Sequence, residues 1–271
     1  MVTLSSSFRK VFVPNQLIKM TASVPVIHHN VESVLNVLEL PENKEIAAVQ
    51  ELLKIYEAAK ISKEKNDACG EVKQHPLIIF EGLDGSGKST VGFKFAKKID
   101  GVKWQTPPKS IQHLRSICDK NKKLNAAYYS LGNYIAGLEV QKILKNRPVV
   151  MDRYWHSTAA FGIAQAVNDN PDFSMPPQGD KMYCWPEDLF KPDIVIFLDV
   201  NENVRLQRIS RRKEFTPQED LLSSSEEFRN NVILAYRNMC DPEVIFIDGN
   251  HTIESECSEI LKSVKHLLCT E

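Results

Sequence analysis

The stretch "EGLDGSGKST", residues 81–90, follows the apolar run "PLIIF" and carries three glycines, an aspartate, a lysine and three hydroxyls. Gly82, Gly87, Lys88 and Ser89 fit G-x-x-x-x-G-K-[ST]. The chemistry of that spacing is phosphate binding. Glycines let the backbone turn its N–H groups inward on an anion, and the following helix adds its positive end. Lys88 reaches the β- and γ-phosphates, and the Ser89 hydroxyl ligates Mg²⁺. The candidate triphosphate cradle is therefore Gly82, Leu83, Asp84, Gly85, Ser86, Gly87, Lys88, Ser89 and Thr90.

A second constellation is "PVVMDRYWHSTAAF", with Asp152 and Arg153 at the end of an apolar run. An aspartate there can orient Mg²⁺ or its waters, and Arg153 can fork onto a phosphate. The plain alternative is a surface ion pair. A third is "RLQRISRRKEFTPQED", which supplies Arg205, Arg208, Arg211 and Arg212 ahead of a flexible-looking segment. Its plain alternative is a solvated basic helix face.

These residues need elements to hold them. Short apolar strands are read at "LIIFE", "PVVMD", "DIVIFLDV" and "EVIFID". Between them, 3.6-residue periodicity marks helices at "STVGFKFAKKI", "SIQHLRSICDKN", "AYYSLGNYIAGLEVQKILKN", "HSTAAFGIAQAV", "NVRLQRISRR", "SSEEFRNNVILAYRNMC" and "TIESECSEILKSVKHLL". Apolar strands alternating with helices predict a parallel sheet covered on both faces, with ligands beyond the carboxyl ends of the strands. Both phosphate-directed clusters follow strands, as that rule requires.

Three segments are expected: a tail at 1–30, a helical extension and linker at 31–75, and a nucleotide-binding unit at 76–271. Residues 1–30 hold Arg9, Lys10 and Lys19, several hydroxyls and no acid. That composition fits an organelle transit peptide and equally a tail that happens to lack acids. Residues 42–65 read as one amphipathic helix, and "NDACGEVKQ" as a linker.

Bulk properties exclude several classes. A net charge of −1 gives no reason to expect broad binding to nucleic acid. No apolar run is long enough to cross a bilayer. Cys69, Cys118, Cys184, Cys240, Cys257 and Cys269 form no C-x-x-C pair, so no zinc or dithiol motif is signalled, and a reducing compartment is expected. An N-K-x-D base-reading motif is absent, which disfavours a GTPase. One compact cradle with late arginines favours a kinase acting on a small phosphorylated acceptor over an ATPase motor.

"EGLDGSGKST", "DRYWHSTAAF" and "KPDIVIFLDV" together resemble the landmarks of the thymidylate kinase-like nucleoside monophosphate kinases. "YYSLGNY", "DRYWHST" and "WPEDLFKPD" are similar to the mitochondrial UMP-CMP kinase 2 branch. The likeness spans about residues 76–268. It implies a P-loop α/β fold, a five-stranded parallel sheet flanked by helices, with a lid. It implies transfer of the ATP γ-phosphoryl group to a pyrimidine nucleoside monophosphate, with Mg²⁺, and a thymidylate kinase with an altered base pocket as the alternative. A homodimer and a mitochondrial location are implied too, the cytoplasm being the other option.

The resemblance also assigns roles. Lys88 and Arg153 become catalytic cations, and Asp152 joins Ser89 as a metal-side residue. Asp84 holds an acceptor hydroxyl or a Mg²⁺-bound water, its plain alternative being a turn former. The loop "LDGS" has no arginine, so the missing charge is expected from the lid, through Arg208 and Arg212. Thymidylate-specific relatives place an aromatic residue and an arginine where this chain has Tyr129 and Asn133. Arginine is donor-only and suits a 4-keto base, whereas asparagine both donates and accepts, which suits uracil and cytosine. Simple helix packing is the other reading of Asn133. Phe161 is expected near the sugar and base, Tyr154 and Ser157 beside the acceptor, "TPPK" at 106–109 facing its phosphate, and Arg115 close by. His156 is expected to be structural.

Overall fold

The computed structural model describes residues 27–67, 73–119, 121–211 and 217–268. Five strands form one parallel sheet: β1 (Leu77–Glu81), β2 (Val102–Gln105), β3 (Val149–Asp152), β4 (Ile194–Asp199) and β5 (Val244–Asp248), in the order β2-β3-β1-β4-β5. The described helices are α1 (Val31–Leu38), α2 (Pro41–Lys44), α3 (Ala47–Asp67), α4 (Lys88–Lys98), α5 (Arg115–Cys118), α6 (Lys122–Ile143), α7 (Trp155–Asp169), α8 (Glu202–Ser210), α9 (Pro217–Ser224), α10 (Glu226–Asn238) and α11 (Ile253–Leu268).

Period-2 alternation gives each strand two apolar faces, and each face has its own core. Ile78, Phe80, Val150, Ile196 and Leu198 pack with α4 and α11 through Val91, Phe95, Cys257, Ile260 and Val264. Leu77, Ile79, Val149, Met151, Val195 and Phe197 face the other way, toward α6, α7 and α10. The central strand β1 lies between β3 and β4, so the chain leaves it in opposite directions on either side. That is the switch point at which α/β sheets bind ligands.

Four differences from the sequence reading have physical reasons. Strand β2 was not expected, because "VKWQ" is a four-residue edge strand without an apolar run. Residues 42–65 are not one helix: Pro41 starts a short α2 at its N1 position, and the buried Asn43 sends its amide back to the Val37 carbonyl at 2.7 Å. That bond serves the end of α1, a helix not read separately within the expected helical extension, whose start Asn30 caps by accepting from the Ser33 N–H. Only Arg115–Cys118 of "SIQHLRSICDKN" is α-helical, after a short 3₁₀ turn.

The extension shares the larger core rather than standing apart from it: Val34, Leu38, Val49, Leu52 and Tyr56 are buried there beside α6. Residues 1–26, including most of the transit-peptide reading, lie outside the described residues, as do Cys69, Arg212 and Cys269. Cys118, Cys184, Cys240 and Cys257 are free thiols. No helix among the described residues is long and apolar enough to cross a membrane.

Candidate functional site

The cradle is built on the end of β1. Gly87 caps α4 with φ +93°, a left-handed conformation suited to glycine. Gly85 has φ +87°, and a Cβ there would lie 2.8 Å from the Arg205 carbonyl oxygen. Lys88 is buried, its Nζ 3.3 Å from the Leu83 carbonyl and 3.7 Å from Asp84. Burial and then Arg153 depress its pKa, with Asp84, Asp152 and Glu81 opposing. A bound phosphate would add negative charge and favour the ammonium form. The Ser86 hydroxyl is buried and has no hydrogen-bond partner among the described residues.

Parallel pairing of β1 with β3 sets Asp152 opposite Phe80, beside the cradle. Its carboxylate accepts a hydrogen bond from the Ser89 hydroxyl, which joins the start of α4 to the end of β3. Arg153 has φ +66°, rare for a residue with a Cβ. Its N–H donates to the Phe80 carbonyl at 2.9 Å. The guanidinium donates to Asp84 at 2.7 Å and to the Ser157 hydroxyl at 2.9 Å, with its carbon 5.5 Å from the Phe161 ring centre. Burial opposes the charge on Arg153, but Asp84, Tyr236, Glu81 and Asp152 outweigh it and hold the pKa up.

Sequence reasoning assigned nothing to Glu81, and it is the centre of the site's buried side. It is fully buried. Its carboxylate accepts from the Tyr154 N–H at 2.9 Å, the Ser157 N–H at 3.3 Å, the Ser157 hydroxyl at 2.5 Å and the Tyr236 hydroxyl at 2.9 Å. Burial pushes its pKa up; Arg153, Ser157, Tyr154 and Tyr236 pull it back. The available signal was an acid closing an otherwise apolar strand, since a buried charge persists only where it is paired and hydrogen-bonded.

Tyr129 is partly buried and meets Tyr128 edge-on, with ring centres 5.1 Å apart. Burial raises its pKa; Arg115 and Arg153 lower it, so both cations lie within electrostatic reach. Arg115 is 5.8 Å from the Tyr129 ring centre and ion-paired to Asp119 at 3.3 Å. Asn133 is buried and donates its amide to the Thr158 hydroxyl at 3.0 Å, bridging α6 and α7. Residues 106–109 start beside the site, where the Thr106 N–H donates to the Asp152 carbonyl at 3.1 Å.

The late arginines divide. Arg205 is not on a solvated face: it is fully buried, forked onto Glu202 at 2.7 Å through two nitrogens, and donates to the Asp84 carbonyl at 3.0 Å. It braces the cradle from outside. Arg208 donates to the Ser86 carbonyl at 2.8 Å and to the Gly249 carbonyl at 3.4 Å. Arg212 lies outside the described residues. His156 is buried among Trp155 and Trp185.

Comparison with known proteins fits this geometry. The family model for thymidylate kinase matches residues 80–260. The chain belongs to the thymidylate kinase family. It is 33% identical over 248 residues to human mitochondrial UMP-CMP kinase 2, covering 89% of this chain and 55% of that protein. It thus spans about half the length of that relative. It is 28% identical over 209 residues to a thymidylate kinase of Leptospira interrogans, covering 69% of this chain and 94% of that enzyme. Among solved structures, the thymidylate kinase of Candida albicans superposes with a TM-score of 0.52 at 20% identity, over 71% of this chain and 92% of that one.

Proposed function

We propose that this chain transfers the γ-phosphoryl group of ATP to a pyrimidine nucleoside monophosphate (CMP, UMP, dCMP or dUMP), giving the diphosphate. The observation that carries the reading is Arg153. It sits at the end of the strand beside the cradle, locked to Asp84 inside the loop and to Ser157 on the next helix. A cation held there faces both the donor phosphates and an acceptor phosphate.

The acceptor is a phosphate, already ionised at neutral pH, so no general base is required. The barrier is repulsion between two polyanions, and positioned cations lower it. In this reading Lys88 covers the donor oxygens, Arg153 bridges donor and acceptor, and Asp84 orients Arg153 and an acceptor hydroxyl. Arg208 and Arg212 complete the charge from the lid. The Ser89 hydroxyl and Asp152 carboxylate are hard oxygen donors already in contact. They suit Mg²⁺, which takes few protein ligands and keeps water and phosphate oxygens as the rest. When bound, Mg²⁺ would neutralise charge on the donor phosphates.

The base would stack on Tyr129 and be read near Asn133. The name of the human relative supports cytosine and uracil; the names of the shorter relatives support thymine as the second reading. A coupled ADP-release assay with ATP and CMP, UMP, dCMP, dUMP or dTMP tests both. Turnover with a C or U monophosphate exceeding that with dTMP is expected, and no turnover with any of the five sinks the proposal. Asn133→Arg should shift preference toward dTMP; unchanged CMP and UMP activity with no gain on dTMP would remove Asn133 from the base pocket. A mitochondrial location is proposed with it, on the composition of residues 1–30 and the name of the human relative. Fluorescence of a full-length C-terminal fusion confined to the cytosol would reject that part.

A further inference from the structure

The segment 184–191, "CWPEDLFK", belongs to neither the cradle nor the lid, yet it touches the catalytic neighbourhood and the N-terminal helices at once. On one side, the Asp188 carboxylate accepts from the Val31 N–H at 2.8 Å and from the Tyr134 hydroxyl at 2.5 Å. Val31 is the first residue of α1, so the carboxylate sits at the helix's positive end. His29 Nδ1 lies 3.1 Å from the Cys184 carbonyl oxygen. On the other side, the Trp185 ring packs against Tyr154, Trp155 and His156, with ring centres 5.5, 5.3 and 5.3 Å away. The Tyr154 hydroxyl donates to the Phe190 carbonyl at 3.0 Å.

Tyr154 and Trp155 directly follow Arg153. That arginine is left-handed in φ, a conformation costing a residue with a Cβ about 1–2 kcal/mol, so its surroundings must hold it there. Glu81 fixes the Tyr154 N–H from the sheet side. The 184–191 segment fixes the Tyr154 ring and hydroxyl from the opposite side. The extension in turn holds that segment, and is itself anchored on α6 and by the Glu51–His113 contact at 2.8 Å.

We propose that the N-terminal helices act as a strut for the catalytic arginine, with Asp188 as its joint. Asp188 is a positioning residue: it acts through Trp185 and Tyr154. The effect on turnover rests on the kinase reading; the mechanical coupling does not.

The test uses the full-length chain carrying Asp188→Asn, Tyr134→Phe or Asp188→Glu. Two readouts are taken: kcat and KM with ATP and the preferred acceptor, and amide hydrogen exchange of Tyr154 and Ser157 without ligand. In Asp188→Asn, kcat should fall about tenfold with KM for ATP within about twofold, and the two amides should exchange about tenfold faster. Asp188→Glu, which keeps the charge, should recover part of both. Should Asp188→Asn fail to fold, Tyr134→Phe, which removes one hydroxyl, carries the same two readouts. Wild-type exchange at both amides, or wild-type kcat, in the folded Asn and Phe variants overturns the strut. Faster exchange in variants of a wild type that turns over no nucleotide upholds the coupling and rejects the kinase reading instead.

Discussion

Tyr236→Phe tests whether the buried carboxylate beneath the site serves Arg153. Tyr236 is fully buried, so Phe keeps the ring packing and removes only the hydroxyl. Two contacts go with it, 2.9 Å to Glu81 and 3.0 Å to Ser157. A hydrogen bond to a charged group is worth about 1.5–3 kcal/mol, and Glu81 keeps three other donors. A loss near 2 kcal/mol follows, or about 4–8 °C in Tm for a chain of this size. Ser157, which also receives Arg153, loses one of the groups fixing its hydroxyl. Loosening that anchor should lower kcat about tenfold while leaving KM for ATP within about twofold, because Lys88 and the loop N–H groups are untouched.

The assay pairs thermal unfolding with ADP-release kinetics on the same preparation. Lower Tm with normal kcat would make Tyr236 a packing residue and refute the positioning argument. Normal values of both would show that the network carries no strain-bearing role at all. A rise in KM for ATP without loss of kcat would also refute it, because the damage would then lie in the cradle.

Acid should destabilise the protein through His156. Burial lowers its pKa to about 3, opposed by a backbone group of Pro242, while the unfolded chain titrates near 6.5. The unfolded state therefore binds the extra proton as pH falls below about 6.5, and stability is lost progressively toward pH 3, by about 2 kcal/mol at pH 5. Burial lowers His28 to about 4, which adds in the same direction. Urea midpoints at pH 7.5 and 5 measure the sum, and His156→Phe should shrink the difference; an unchanged difference rejects the assignment. Gly85→Ala should cost about 3 kcal/mol from its positive φ and the 2.8 Å overlap with the Arg205 carbonyl, and should raise KM for ATP. Chemical denaturation with parallel kinetics reports both. Arg212→Ala should remove most of kcat with little change in Tm, and near-normal turnover would take Arg212 out of the lid role.

What was legible in the sequence was what local order encodes. Buried strands are contiguous apolar runs, and a phosphate cradle is nine consecutive residues, so β1, β3, β4, β5 and the loop at 82–90 could be read directly. Lys88, Ser89, Asp84, Asp152, Arg153, Ser157 and Phe161 lie together because two of those strands pair in parallel, a relation that periodicity already implied. Strand β2 was not legible, because an edge strand needs apolar residues on neither face along its whole length. The role of Arg205 was not legible either. A row of four arginines in eight residues looks solvated, and only tertiary packing decides which one turns inward onto Glu202 and the cradle.

Glu81 shows where local reading stops for a physical reason. Its position at the end of "LIIFE" marks a charge in an apolar context, and such a charge demands partners. The nearest partners in the fold are Tyr154 and Ser157, some seventy residues away, and Tyr236, farther still. No spacing rule links them. Parallel strand pairing brings the first two beside Glu81, and α10 packing against α7 brings the third. A carboxylate that accepts from three residues on two helices and a loop can be satisfied only when all of those elements are in place. The group that anchors Ser157, which in turn accepts from Arg153, is therefore also one whose burial depends on the completed fold. Substitutions that separate the two effects, such as Tyr236→Phe, say more about the mechanism than removal of Glu81 itself.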